Sequence, residues 1–449
     1  MFVRPMRLLE AGDESAKSLG ASPTVVRLFG LSIAVALSTF AVGVISFLAL
    51  AAPAFATIAG ARTLLQRMIW SPLIAASQLW LIDQLVQLHP QAAAFPAGAA
   101  TALLGAPLLF LFLLRLRAAP VQSGEPKSAS EMRRGPRSLA ALAAGLAITV
   151  LLAFYFGRSL GGWDWLSTAQ LNDLVVLRLP RIVVALSAGI MLGISGTLLQ
   201  RMTGNAMAAP EVLGVSGGAC LGVLILFLIS PTLARTSLLI SASIGALALV
   251  YVTTGRHLSS ERLLLAGTAT TTLASALAAV VLASGDPRLT FLLAWLSGST
   301  YTATATDAWI AAVTAMLLGL LAPLTVRWLS VLPLGETVSA SLGLRLRLVR
   351  SALLLLVAVP TAVAVLVIGP LSFVGLMAPH LAALTGFRRP VLQIFAAAIS
   401  GALMLTIADW AGRTIIFPWQ VPAGLLTALV GGPFFLFMMA RASRSGERL

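Results

Sequence analysis

The sequence predicts an all-α, polytopic membrane protein of about 14 transmembrane helices. Three observations lead there: apolar stretches recur along the whole chain, charged residues fall between them, and a block near one end is repeated near the other. Of the 449 residues, 59% are hydrophobic and only 10% charged, with a mean hydropathy of +0.97. A soluble domain needs more polar surface than that. The net charge of +15 does not point to nucleic acid, because a nucleic-acid binder gathers its basic residues on a polar domain. Here they sit in connections between apolar segments, the pattern of positive-inside topology. Membrane lipid is the expected surroundings and no nucleic-acid partner is expected. The single cysteine, Cys220, excludes an intramolecular disulfide, and His89, His257 and His380 lie too far apart in sequence to suggest a metal site, so no cofactor is expected. The polar N-terminus, through Gly20, carries no cleavable signal peptide.

Hydropathy, with Arg, Pro and Gly as punctuation, places helices at 24–44, 46–60, 69–88 and 97–114. Residues 115–137 are rich in Lys, Arg, Pro, Ser and Gly and form a basic cytoplasmic linker with no core to bury. Ten further helices follow at 138–157, 181–201, 212–230, 236–254, 262–283, 306–328, 348–368, 372–387, 391–411 and 422–440. With the linker inside, helix parity leaves only Arg158, Arg178, Arg181, Arg235, Arg288 and Arg413 outside, an asymmetry that one missed helix would scramble.

The repeat divides the chain. Pro96-Ala-Gly-Ala-Ala-Thr-Ala-Leu-Leu-Gly-Ala-Pro107 returns as Pro422-Ala-Gly-Leu-Leu-Thr-Ala-Leu-Val-Gly-Gly-Pro433, and at the same spacing Pro53 pairs with Pro379 and Asp83 with Asp409. Gly12 through Gly20 aligns with Gly335 through Gly343. The expectation is one module used twice: its last four helices in residues 1–114, and a complete ten-helix copy in 138–449. A second copy starting near Arg137 puts the start of the first about 190 residues before Met1, so a non-transporting remnant of such a protein is an alternative.

Gly189 and Gly193, and likewise Gly214, Gly218 and Gly222, recur four apart on one helix face, where a missing Cβ lets helices approach closely in lipid. The run Gly214-Val-Ser-Gly-Gly218 is no phosphate loop, since the Gly-Lys-Ser/Thr ending is absent. With no Walker motif, nucleophile triad or metal spacing, the chain is not expected to be an enzyme. Asp409 stands one helical turn before Arg413 and could pair with it; Asp83 has Gln87 at that place. An ion-coupled secondary transporter would need intramembrane carboxylates or histidines, and Asp83 and Asp409 lie towards helix ends.

The ordered motifs Arg178-Leu-Pro-Arg181, Ser195-Gly196, Gln200, Asn205-Ala-Met-Ala-Ala-Pro210, Leu213-Gly-Val-Ser-Gly-Gly-Ala219, Leu334-Gly-Glu336, Gly369-Pro-Leu-Ser-Phe-Val-Gly-Leu-Met-Ala-Pro-His380 and Val421-Pro-Ala-Gly424 resemble the iron(III)-siderophore, haem and cobalamin permeases of type II ABC importers. Two copies on one chain are most similar to the double-length ferric-hydroxamate members of that family. Ala206 stands where the family has proline. The resemblance implies a multi-pass permease of the inner (plasma) membrane that imports iron-chelates, with a dimer of ATP-binding subunits and a periplasmic or lipid-anchored binding protein as partners. It further implies ATPase coupling through Glu336, Ser341, Leu342 and Gly343 and, in the first copy, Asp13, Leu19 and Gly20. Arg178, Arg181 and Arg413 would dock the binding protein, where anchoring to lipid headgroups is the plainer reading. Thr268, Thr271 and Gly424 would line the pathway.

Overall fold

The computed structural model describes residues 48–88, 98–103, 135–159, 161–165, 168–211, 214–230, 235–254, 260–283 and 289–444, with single positions at 36, 40, 105 and 107. Two compact units partition the chain: residues 1–116 with 275–285, and residues 117–274 with 286–449.

In the first unit, α1 (Leu48–Ile58) and α2 (Leu64–Gln87) form a helical hairpin. Gly60, at φ 99°, ends α1 in the left-handed region, and Ala61 N–H closes the turn on Ala56 O at 2.9 Å. The reciprocal Thr63 and Gln66 capping box then opens α2. Residues 98–103 are helical, and Ala99 and Ala102 pack against Ala276. Apart from positions 36 and 40, the expected helix at 24–44 falls outside the described residues, as does the linker apart from residues 135–137.

The second unit runs α3 (Pro136–Tyr155), β1 (Phe156–Ser159), β2 (Gly162–Trp165), α4 (Thr168–Thr203), α5 (Val215–Ile229), α6 (Arg235–Thr254), α7 (Ser260–Ala283, its last turns in the first unit), α8 (Leu289–Leu296), α9 (Ala305–Leu321), α10 (Val326–Val331), α11 (Glu336–Ser341), α12 (Leu346–Ile368), α13 (Val374–Leu384), α14 (Pro390–Thr414) and α15 (Ala423–Arg444). Among the described residues, five spans are long and apolar enough to cross a membrane. The innermost is α4, packed on α14, α12, α9 and α13, whereas α3 exposes nearly its whole apolar length, as a lipid-facing helix does. Gly189 and Gly193 meet the backbone of α14 at Gly401 and Ala397, and Gly218 and Gly222 meet α6 at Gly245 and Ser241, with no room for a Cβ.

The described chain is all-α as expected, apart from one short antiparallel hairpin, Phe156 opposite Trp165, between α3 and α4. The helix pattern departs from the sequence reading elsewhere. Helix α4 begins near residue 168 and continues through Pro180, where the sequence reading began a helix at 181. The 8-residue α8 lies where no helix was expected. The helix expected over 306–328 breaks at Pro323 into a 3-10 turn, because proline cannot donate the helical N–H.

Candidate functional site

Among the described residues, the site residues expected from the sequence fall into three groups in the second unit. The first lies where α3 ends. A helix leaves its last carbonyls without internal donors, and here the neighbouring helices supply them. Arg178 of α4 donates to Phe154 O at 2.7 Å, Arg413 of α14 to Ala153 O at 3.2 Å, and Trp410 Nε1 to Phe156 O at 2.9 Å. Arg413 Nε also meets Asp409 Oδ2 at 2.9 Å, the pairing that the one-turn spacing suggested. The other oxygen of Asp409 accepts the Thr300 hydroxyl, and Arg181 Nε stands 3.9 Å from it, beyond a hydrogen bond. Arg181 donates to Gln420 Oε1 at 2.7 Å and lies over the ring of Tyr301, 5.5 Å from its centroid.

The three arginines singled out from sequence are thus brought together, but they are mostly covered: the Arg181 and Arg413 side chains keep only 13% and 11% exposure. Arg181 and Arg413 stand against the one carboxylate of Asp409 and Arg178 lies close to Arg413, so the cluster carries excess positive charge. Around it, Trp163, Trp165, Tyr301 and Trp419 are exposed, as is Arg158, which donates to Ile415 O at 3.3 Å. Thr300, Gln420 and the hairpin tryptophans escaped sequence reasoning, since Thr300 and Asp409 stand 109 positions apart.

The second group is α11, a six-residue helix set off by Gly335 at φ 101° and Gly343 at φ 82°. Leu334 before it, Val338 within it and Leu342 at its end are exposed apolar side chains, at 59%, 42% and 51%. Ser341 and Gly343 are exposed beside them, while Ser339 is buried and donates to Val331 O. Asp13, Leu19 and Gly20 fall outside the described residues.

The third group comprises the residues expected to line the pathway. Thr268 and Thr271 are exposed on α7, and Thr271 donates to Gly267 O at 2.9 Å. Gly424 is buried: its N–H donates to Gly298 O at 2.8 Å, and a Cβ would strike Ser297 O.

The sequence profile of the FecCD transport family matches residues 1–115 and 138–441. The chain belongs to the FecCD transport family. Among its relatives, the iron(3+)-hydroxamate import system permease protein FhuB of Escherichia coli K12 is 44% identical over 99% of this chain and 69% of its own length. The FhuB protein of Salmonella typhimurium is 42% identical over 99% of this chain and 66% of its own. The chain therefore spans about two thirds of these relatives. Shorter members match too: the vitamin B12 import permease BtuC of Vibrio vulnificus is 36% identical over 68% of this chain and 93% of its own length. Among solved structures, an inward-facing metal-chelate type ABC transporter superposes with a TM-score of 0.61 at 26% identity, covering 68% of this chain and 99% of that one.

Proposed function

We propose that this FecCD-family chain is a permease subunit of an ABC importer for iron(III)-hydroxamate chelates in the inner membrane. The observation that carries the reading is the 44% identity to a hydroxamate permease over 99% of the chain, against 36% to a vitamin B12 permease over 68%. The chelate passes from a binding protein through the helices, and ATP hydrolysis on a separate subunit dimer drives the cycle. Residues 1–114 and 138–449 act as two modules joined by the linker 115–137, with Thr268, Thr271 and Gly424 near the pathway.

Helix α11 is the coupling element. A short helix with exposed apolar side chains fits a cleft in another protein, because leaving Leu334, Val338 and Leu342 in water is unfavourable. At the other end, the arginine cluster steers an acidic binding protein by its excess charge, a field effect that does not need the guanidinium groups fully exposed.

Uptake of radiolabelled chelates in a strain deleted for the gene tests the substrate. Ferric-hydroxamate uptake should be lost while catecholate, haem and cobalamin uptake persist; loss of a different chelate would overturn the assignment. For the coupling element, Glu336→Lys should lower the yield of co-purified ATPase about threefold at moderate salt. Full ATPase recovery with a chain lacking residues 10–20 and 334–343 would refute it.

A further inference from the structure

Helix α13 is only 11 residues long, about 16 Å, and α5 only 15 residues, about 22 Å, so each falls short of a hydrocarbon core of roughly 30 Å. An end of such a helix that lies within the hydrocarbon cannot turn its exposed backbone N–H groups to water, and protein must satisfy them. The residue preceding α13 is Phe373, held at φ 69°, and its side chain has no oxygen to cap the helix. The acceptor comes instead from 164 residues earlier: Glu211 Oε1 takes the Gly375 N–H at 3.1 Å. A carboxylate at a helix start also meets the positive end of the helix dipole.

Glu211 belongs to the connection between α4 and α5 and bonds at its downstream end. Its own carbonyl accepts the Gly214 N–H at 3.2 Å, in the turn that opens α5. Upstream, Asn205 Oδ1 accepts the Met207 N–H at 2.8 Å and Asn205 O the Ala208 N–H at 3.1 Å, which braces residues 205–208. The fit against α13 is close. A Cβ on Gly375 would lie 2.9 Å from both Glu211 Oε2 and Pro210 Cδ, and a Cβ on Gly196 of α4 would strike the Gly375 carbonyl. Glu211 Oε2 is shut away from solvent and makes no hydrogen bond.

We propose that Glu211 is a positioning residue for transport: its carboxylate clasps residues 205–211 to the start of α13, so that this segment and the half-helix travel as one body when the pathway opens and closes. The proposal rests on the importer reading for its readout, and its geometry stands apart from it.

Met207 and Met377 line one small cavity between the connection and α13, which makes them a pair for bridging. The test uses the full chain with ATPase and binding protein in proteoliposomes, Met207→Cys and Met377→Cys in a Cys220→Ser background, and a short bifunctional thiol reagent. With Glu211 present, bridging should leave ferric-hydroxamate uptake unchanged. Glu211→Ala should lower uptake about tenfold, bridging should restore it, and Glu211→Gln, which keeps the acceptor oxygen, should stay close to wild type. Uptake abolished by the bridge with Glu211 present, or undiminished in Glu211→Ala, would overturn the clasp. If Glu211→Ala does not insert, the bridged Glu211 protein still decides. A wild-type chain carrying no chelate fails the importer reading alone. The clasp then stands or falls on whether the distance between spin labels at positions 207 and 377 stays constant through the nucleotide cycle.

Discussion

Two stretches of the chain, α1 with α2 and α13 with α14, are the same structure written twice. Leu48–Ile58 corresponds to Val374–Leu384, and Leu64 to Pro390 as the start of the following helix. The turn between the helices repeats bond for bond. Gly60 N–H reaches Thr57 O and Ala61 N–H reaches Ala56 O in the first copy; Gly386 N–H reaches Ala383 O and Phe387 N–H reaches Ala382 O in the second. Gly60 and Gly386 take φ 99° and 91°. The polar chemistry, by contrast, has diverged. Asp83 is exposed and accepts from the neutral Gln87 at 2.7 Å, while Asp409 is buried and holds Arg413 at 2.9 Å. The opening of the second helix has changed as well, from a capping box at Thr63 to a proline at the first position of α14. Backbone geometry set by a few local residues persisted, and the side chains that meet other elements were free to differ.

The contrast yields its largest effect at the aspartates. Asp409→Ala strips the charge partner from Arg413 in a buried site and should cost on the order of 3 kcal/mol, whereas Asp83→Ala should cost no more than about 0.5 kcal/mol. Thermal unfolding of the two variants in nanodiscs measures the difference, and equal shifts would mean that the two copies share one electrostatic role. The turn glycines should behave alike instead: Gly60→Ala and Gly386→Ala each force a Cβ into the left-handed region, at about 1–2 kcal/mol apiece. A cost at only one of them would break the equivalence of the turns. The smallest expected effect is a gain. Gln87→Arg transplants the second copy's pair into the first and should stabilise it by about 0.3–0.5 kcal/mol at low salt, fading as salt is raised.

What could be read from the sequence was local or periodic. The repeat, the Asp409 and Arg413 pairing and the close approach of Gly189 and Gly193 to a neighbour all follow from spacing along one chain segment. Helix α11, between Gly335 and Gly343, was not among the expected helices and was legible only through the family resemblance that marked its residues for coupling. Helix α8 escaped because its eight residues between Pro287 and Gly298 are too few to raise a membrane-span signal, although Trp295 fixes it to α12 through Val365 O and Leu366 O, both at 3.0 Å. The carbonyl partners of Arg178 and Arg413 on α3 were hidden for a different reason. Nothing in an arginine's own neighbourhood says which distant helix end it will serve, and Glu211 with Gly375 poses the same difficulty.

The hairpin after α3 has an optical consequence. Its Trp163 ring lies 6.0 Å from that of Trp410 on α14, with Phe156 stacked on Trp163 at 5.3 Å. Two indoles this close, held at an interplanar angle of 35°, couple their electronic transitions and give the folded protein a circular-dichroism band of their own. That band reports whether the lipid-facing helix is seated at its far end, and it can be followed without any label while substrate, nucleotide or binding protein is added.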